Sequence, residues 1–284
     1  MSSSAPQPSK TYVLTHTDAE RRRLALQASI INRFTDRFLR DAGITEGMNV
    51  LDFGCGVGDV SLIAGGLVGG SGSVTGIDID PEALATAAAR ASEHGLDHIG
   101  FLQADADEFK TEPKYDAVIG RLFLIHTSEP VAFLERAQNF LRPGGIIAFQ
   151  DFDLSLLGGR YADLPTWETC GKACSTLFER AGLAAAAGSL LYTWFLEAGL
   201  PVPEYRLEFL VDGGENSLYY EWLAMTVRSL MPKMLALKVI EPDTLDLDRL
   251  EETLRQETFS TNRPCFGPAM GGAFVRTRGP VGPA

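Results

Sequence analysis

Asn49-Val50-Leu51-Asp52-Phe53-Gly54-Cys55-Gly56-Val57-Gly58-Asp59-Val60-Ser61 is the stretch on which the reading of this chain turns. Val50, Leu51 and Phe53 read as a short buried strand, with Asp52 at its carboxyl end. Three glycines at alternate positions then swing the chain into a helix expected to begin near Val57. Such a turn lets backbone approach a ligand closely, because no Cβ stands in the way. It also aims free helix N–H groups at whatever lies above the strand. A loop built for a dinucleotide pyrophosphate wants its third glycine at position 59. Asp59 stands there instead, an acid where the phosphates would lie. That weighs against a nicotinamide-dependent oxidoreductase. It leaves either a ligand without phosphate or a plain strand–helix turn.

Outward from this turn the chain alternates strand and helix. Residues 73–78 form a second strand ending in Asp78. Asp80-Pro81 is an N-cap followed by proline at the first helical position, opening an Ala-rich helix to about His94 that Gly95 closes. A third strand over 99–104 ends before Asp105, and a fourth covers 115–120. A helix over 128–141 and the turn Arg142-Pro143-Gly144-Gly145 lead to a fifth strand over 146–152. Upstream, Thr17-Asp18-Ala19-Glu20 is a capping box. It starts an amphipathic helix carrying Leu24, Ala28, Ile31, Phe34 and Phe38 to about Asp41, with Gly43 as the stop. Repeated strand–helix–strand units predict an α/β, Rossmann-like, mostly parallel sheet with helices on both faces.

Beyond the fifth strand the pattern changes. Helices are expected over 165–181 and 189–198, a strand over 204–211, helices over 217–237 and 243–256, and a last short strand over 273–276. The expected layout is a disordered tail (1–11), an N-terminal lid helix (12–43) and a ligand-binding core (44–152). Helical cap insertions interleaved with the last core strands (153–284) complete it. These insertions should lie over the carboxyl ends of the strands, where open α/β sheets bind ligands.

Three successive strands end in acids, Asp52, Asp78 and Asp105, spaced 26 and 27 residues apart. A parallel sheet would set all three on one rim. The acid after the second strand is placed to accept from both ribose hydroxyls, and the one after the third to accept from an adenine amino group. The ordered series Val50–Ser61, Gly76-Ile77-Asp78, Gln103-Ala104-Asp105-Ala106, Tyr115-Asp116-Ala117-Val118-Ile119 and Leu141-Arg142-Pro143-Gly144-Gly145 resembles the motifs of class I S-adenosylmethionine-dependent methyltransferases. The resemblance covers residues 47–152. It implies S-adenosylmethionine as cofactor, held by Asp52, Gly54, Cys55, Gly56, Gly58, Asp78, Ile79, Asp105, Ala106 and Arg121. The leading segment 12–38 is similar to the lid helix of bacterial small-molecule methyltransferases of the quinone-biosynthesis and natural-product tailoring type. Gly120-Arg121-Leu122-Phe123 departs from the Asn/Asp-Pro-Pro-aromatic stretch of enzymes that methylate adenine or glutamine nitrogen.

The balance of 25 Lys plus Arg against 37 Asp plus Glu gives a net charge of −12. Nucleic acid and anionic membrane demand a basic face, so neither is an expected partner. No run of eighteen apolar residues reads as a bilayer span. The Ser/Pro-rich start lacks a signal peptide's apolar core, so a cytoplasmic location is expected. Four cysteines, Cys55, Cys170, Cys174 and Cys265, read as small buried thiols in a reducing compartment. No metal site is expected.

The expected partner is a small, aromatic, indole- or phenol-like acceptor, and the sequence leaves a homodimer open. Tyr161, Trp167, Phe178, Tyr192, Trp194, Phe195, Tyr219, Tyr220 and Trp222 make the cap aromatic. Most should be cap core, with some of Tyr192, Trp194 and Phe195 available to a flat pocket. Polar groups expected near the transferred methyl are Tyr12, His16, His126, Gln150, Asp151 and Asp153. Asp151 is the expected base or orienting group, with Tyr12 and His126 as helpers. Asp151 and Asp153 share one strand face; they either serve the reaction or cap the neighbouring helices. His94 and His98 fall on the far side of the sheet. The competing readings are a cofactor-binding protein or scaffold without activity, and a quinone- or isoprenoid-type C-methyltransferase.

Overall fold

The structure, a computed structural model, describes residues 18–111, 115–157 and 163–277. Its strands are β1 (Asn49–Phe53), β2 (Ser73–Asp78), β3 (Ile99–Gln103), β4 (Tyr115–Arg121), β5 (Leu141–Asp153), β6 (Glu204–Asp212) and β7 (Cys265–Arg276). Its helices are α1 (Asp18–Asp41), α2 (Asp59–Val68), α3 (Pro81–Glu93), α4 (Pro130–Ala137), α5 (Pro165–Arg180), α6 (Ala187–Glu197), α7 (Leu218–Ala236) and α8 (Leu250–Thr261). The strands join in one seven-stranded sheet of order β3-β2-β1-β4-β5-β7-β6. β1 to β5 run parallel, and β7 lies antiparallel between β5 and β6. Successive strands are added to one side of β1 up to β3 and then, from β4, to its other side, and this switch opens a crevice above β1 and puts the glycine turn beside it.

Alternation along each strand feeds two cores. Val50, Ile119, Ile146 and Ala148 pack with Phe38 and Leu39 of α1 and Val60 and Ala64 of α2. Leu51, Phe53, Val118 and Phe149 point to the other face, towards Phe133 and Leu134 of α4. α5, α7 and α8 stack on one another as a cap. Trp167 pins it, its indole N–H donating to the Leu254 carbonyl and the Thr258 hydroxyl at 3.0 Å each.

Several boundaries differ from expectation, each for a local reason. α2 begins at Asp59, two residues late, because Gly58 is left-handed at φ 86°. A 3-10 turn over Leu124–His126 precedes α4, which starts at Pro130 with proline in its first turn. α8 starts at Leu250 because Asp243 takes φ 62°, and the Asp246 carboxylate holds the Asp248 and Arg249 N–H groups in a turn. β7 runs for twelve residues, not four. Its glycines hide the alternation but have a packing purpose: a Cβ on Gly271 would lie 2.1 Å from the Gly188 carbonyl oxygen of α6. α6 thus covers the sheet itself, while α5 joins the cap.

Gly271→Ala must push α6 off β7, and rigid backbone stands on both sides. Overpacking of this kind costs about 1–3 kcal/mol or more. The thermal midpoint should fall by several degrees, and a midpoint equal to the parent's would contradict the close packing.

Candidate active site

The turn after β1 is held open by backbone geometry. Gly54, Gly56 and Gly58 all take positive φ, at 65°, 52° and 86°. A Cβ on Gly54 would strike the Phe123 ring at 2.7 Å, whereas nothing lies within 4 Å of one on Gly56. The Gly56 backbone therefore faces open space. The Asp78 carboxylate fixes the loop, accepting the Gly56 N–H at 2.8 Å and the Asp80 N–H at 3.0 Å. Beside it Ile79 is 64% exposed, unusual for a large apolar side chain. Asp105 lies just past β3, half-buried like Ala106, and its carboxylate accepts the Asp107 N–H at 2.8 Å.

Asp52 corrects the expectation of three acids on one rim. Only 1% exposed, it sits beneath the glycine turn and accepts the Ser61 hydroxyl at 2.6 Å. Its other oxygen is buried with no hydrogen-bond partner. Burial pushes its carboxyl up to about 7, against the opposing pull of the Ser61 hydrogen bond and the Arg121 charge. Burial likewise raises the Cys55 thiol, so this cysteine is not nucleophilic. An open glycine backbone, an unpartnered buried carboxylate oxygen below it and a bare apolar surface between two carboxylates fit S-adenosylmethionine. They suit a ligand with an ammonium tail, a ribose and a flat base.

From the glycine turn a cavity runs beneath the helices. Gly54, Cys55, Gly56, Val57, Asp59 and Val60 form one end, with Arg121 and Leu122 from the end of β4. Leu122 is held at φ 54°, where its N–H donates to the Gln150 carbonyl at 2.8 Å. The walls are Ile125, Phe152, Leu154, Leu157, Phe178, Trp222, Leu223 and Leu230. Of the cap aromatics, Phe178 and Trp222 reach this space. Trp167, Tyr219 and Tyr220 are cap core, Trp194 and Phe195 are buried on α6 against the sheet side, and Tyr192 lies outside against Tyr205. Tyr12, His16 and Tyr161 lie outside the described residues. Phe152 lines the cavity and was not among the residues singled out.

One wall is polar and was not anticipated. Glu20, Arg23 and Gln27 follow one another at steps of three and four on α1 and are buried. Arg23 donates to both Glu20 oxygens, most closely at 2.6 Å, and to the Gln27 side-chain oxygen at 2.9 Å. Trp222 donates its indole N–H to that same oxygen at 3.2 Å, and Ser229 its hydroxyl to Glu20 at 2.8 Å. The i, i+3, i+7 spacing of polar residues alongside apolar Leu24 and Ile31 was the available signal. Further along α1, Asn32 and Thr35 accept from the Arg121 guanidinium at 2.9 Å each. Arg37 pairs with Glu208, and Asp41 with Arg206. The described part of α1 is a docked wall, and lifting it as a lid would break these bonds.

His126 lines the cavity with its ring 5.9 Å from that of Phe178. Burial, helped by the charges of Arg23 and Lys233, pushes its imidazole down to about 4. It is neutral at neutral pH. Asp151 and Asp153 do not face the cavity, contrary to expectation. Asp151 is fully buried, accepts the Ile125 N–H at 3.2 Å and anchors the Leu124–His126 turn. Asp153 accepts the Ser189 N–H at 3.0 Å and so ties the start of α6 to β5. Gln150 is buried on the opposite face of β5, with neither amide atom hydrogen-bonded. His98 bonds to the Gly65 carbonyl, away from the cavity.

Burial pushes the Asp151 carboxyl up to about 8, although backbone N–H groups of residues 123–125 favour its ionised form. An acid whose folded pKa exceeds its unfolded value, about 4, stabilises the fold fully below pH 4. That contribution fades as pH rises through 8. Asp151→Asn removes the dependence. Parent stability should therefore drop relative to the variant between about pH 4 and 8, by up to about 1.4 kcal/mol per unit. Thermal midpoints that run parallel at pH 5 and pH 8.5 would contradict this.

A sheet of this order, with a glycine turn over a buried acid and two further acids at the rim, defines a class I methyltransferase fold. The chain matches the family model described as a methyltransferase domain over residues 44–199, more than half its length. It belongs to that family, whose cofactor is S-adenosylmethionine. A ubiquinone biosynthesis O-methyltransferase of Caulobacter vibrioides is 35% identical over 116 residues, 39% of this chain and 44% of the relative. An aklanonic acid methyltransferase of a Streptomyces species is 38% identical over 120 residues, 41% and 54% of the two chains. The match thus spans about half the length of these curated relatives. Among solved structures, a methyltransferase-like protein of Bacillus halodurans aligns with TM-score 0.57 at 17% identity. That alignment covers 86% of this chain and 98% of the other, a likeness of fold. Among the described residues no helix is long and apolar enough to cross a membrane.

Proposed function

We propose that this protein transfers a methyl group from S-adenosylmethionine to a small, largely apolar aromatic acceptor. The acceptor class is the phenol-, indole- or quinone-like one met in natural-product and quinone biosynthesis. The observation that carries the reading is continuity. The glycine turn and the cavity walled by Phe152, Phe178 and Trp222 line one continuous space, so donor and acceptor would meet inside it. The names of the curated relatives, a ubiquinone biosynthesis O-methyltransferase and an aklanonic acid methyltransferase, support the same acceptor class.

The cofactor supplies an already activated methyl on sulfonium, so the protein's work is to align the acceptor and exclude water. Gly54, Gly56 and Gly58 take the amino-acid end, with the unpartnered Asp52 oxygen below for the ammonium. Asp78 and Ile79 take the ribose and one side of the base; Asp105 and Ala106 take its polar edge. Cys55 and Arg121 close the deep side. Ile125, Phe152, Phe178 and Trp222 sandwich the acceptor. Neutral His126 is placed to accept a hydrogen bond from an acceptor O–H or N–H as the methyl arrives. Asp151 acts at one remove, by holding the turn that carries His126.

Incubation with labelled S-adenosylmethionine and a panel of phenols, indoles and hydroxyquinones, read by mass spectrometry, tests this. Label should appear in at least one flat aromatic and in no nucleic acid. Cofactor binding with label in none of the aromatics would sink the acceptor class.

A further inference from the structure

The polar wall of α1 points to a recognition group within the proposed acceptor pocket. Gln27 is 8% exposed and lines the cavity. Its side-chain oxygen is claimed by two donors, the Arg23 guanidinium at 2.9 Å and the Trp222 indole at 3.2 Å. Neither donor can act as an acceptor, so the amide has one orientation and cannot flip. The NH2 is then the end left over. It has no hydrogen-bond partner and is not sealed off from open space. It is a fixed donor opening into a cavity whose other lining is mainly aliphatic and aromatic.

The charge nearby selects what that donor meets. Arg23 is only 3% exposed and is matched by Glu20, 4% exposed, through bonds to both carboxylate oxygens. The pair presents no net charge, so this wall offers an anion little reward for its lost hydration. A neutral oxygen acceptor pairs with the amide at lower desolvation cost. We infer that Gln27 is a specificity-determining residue that donates its side-chain N–H to a neutral carbonyl oxygen of an otherwise apolar ring acceptor. The inference rests on the methyl-transfer reading for calling the ligand an acceptor, but its geometry does not depend on the cofactor.

The test uses 1-tetralone, its oxygen-free analogue tetralin, and 1-naphthol as a hydroxyl donor. Binding is measured by equilibrium dialysis with mass spectrometry in the presence of S-adenosylhomocysteine. Parent protein should bind tetralone more tightly than tetralin. Gln27→Glu keeps an oxygen for Arg23 and Trp222 but turns the donor into an acceptor. It should weaken tetralone by about tenfold or more, leave tetralin within about twofold, and leave 1-naphthol as tight or tighter. Gln27→Leu should lose the tetralone preference without any gain for 1-naphthol, which covers the case of a poorly folding Glu variant. No measurable tetralone binding, equal affinity for tetralone and tetralin in the parent, or an equal loss of both in the variants would overturn the inference. S-adenosylhomocysteine affinity, measured alongside, should stay within about twofold in both variants. A parent that binds tetralone through Gln27 but no S-adenosylhomocysteine would sink the methyl-transfer reading and leave this one standing.

Discussion

Asp78→Ala is expected to weaken S-adenosylhomocysteine binding by on the order of 10²-fold or more, the loss of two carboxylate hydrogen bonds at about 1.5–3 kcal/mol each. Two effects add in this variant. The carboxylate stands where a ribose would lie beside exposed Ile79, and it also holds the Gly56 N–H that shapes the glycine turn. Without it the turn must be ordered by the ligand itself, at the ligand's expense. Asp78→Asn retains a side-chain oxygen for Gly56 and should fall between parent and alanine. Calorimetry on folded protein reads all three. An alanine variant within a few-fold of the parent would remove Asp78 from the cofactor site.

Arg23→Met should be the most destabilising single change in the cavity wall. Removing one partner of a buried ion pair leaves the other charge uncompensated, at about 3–5 kcal/mol. Glu20 would lose its guanidinium bonds while keeping the Ser229 hydroxyl, and Gln27 would lose one of the two bonds that fix its amide. The double variant Glu20→Gln/Arg23→Met removes both charges and should recover at least half of the loss. Chemical denaturation of the four proteins closes the cycle. Losses that simply add would show that the two charges are not coupled, contrary to their 2.6 Å contact.

The fold was legible because each local signal agreed with the next. Asp80-Pro81 opened α3 as expected, and Asp80 caps it through the Glu82 N–H. The acids after β2 and β3 fell on neighbouring strand ends because a parallel sheet leaves little freedom there. Legibility failed where a residue's role depends on what packs against it. Asp151 alternates with Gln150 as a strand should, but the Leu124–His126 turn, itself unforeseen, claimed its carboxylate. The length of β7 is hidden because Gly267, Gly271 and Gly272 have no side chains to alternate, and only the approach of α6 to Gly271 and of α1 to Gly272 shows the purpose of those two. Polar spacing alone does not tell whether Glu20, Arg23 and Gln27 face water or a cavity. Trp222 and Ser229, about two hundred residues away in the chain, turn that face into a cavity wall.

On the proposed function, donor and acceptor share one continuous space that begins at the glycine turn. A crystal structure of the protein with S-adenosylhomocysteine tests it most directly. The ribose should lie on Asp78, the amino-acid end over Gly56, and the sulfur at the mouth of the cavity between Leu122 and Ile125. A ligand bound with its sulfur turned away from Phe178 and Trp222, or bound elsewhere on the protein, would contradict it.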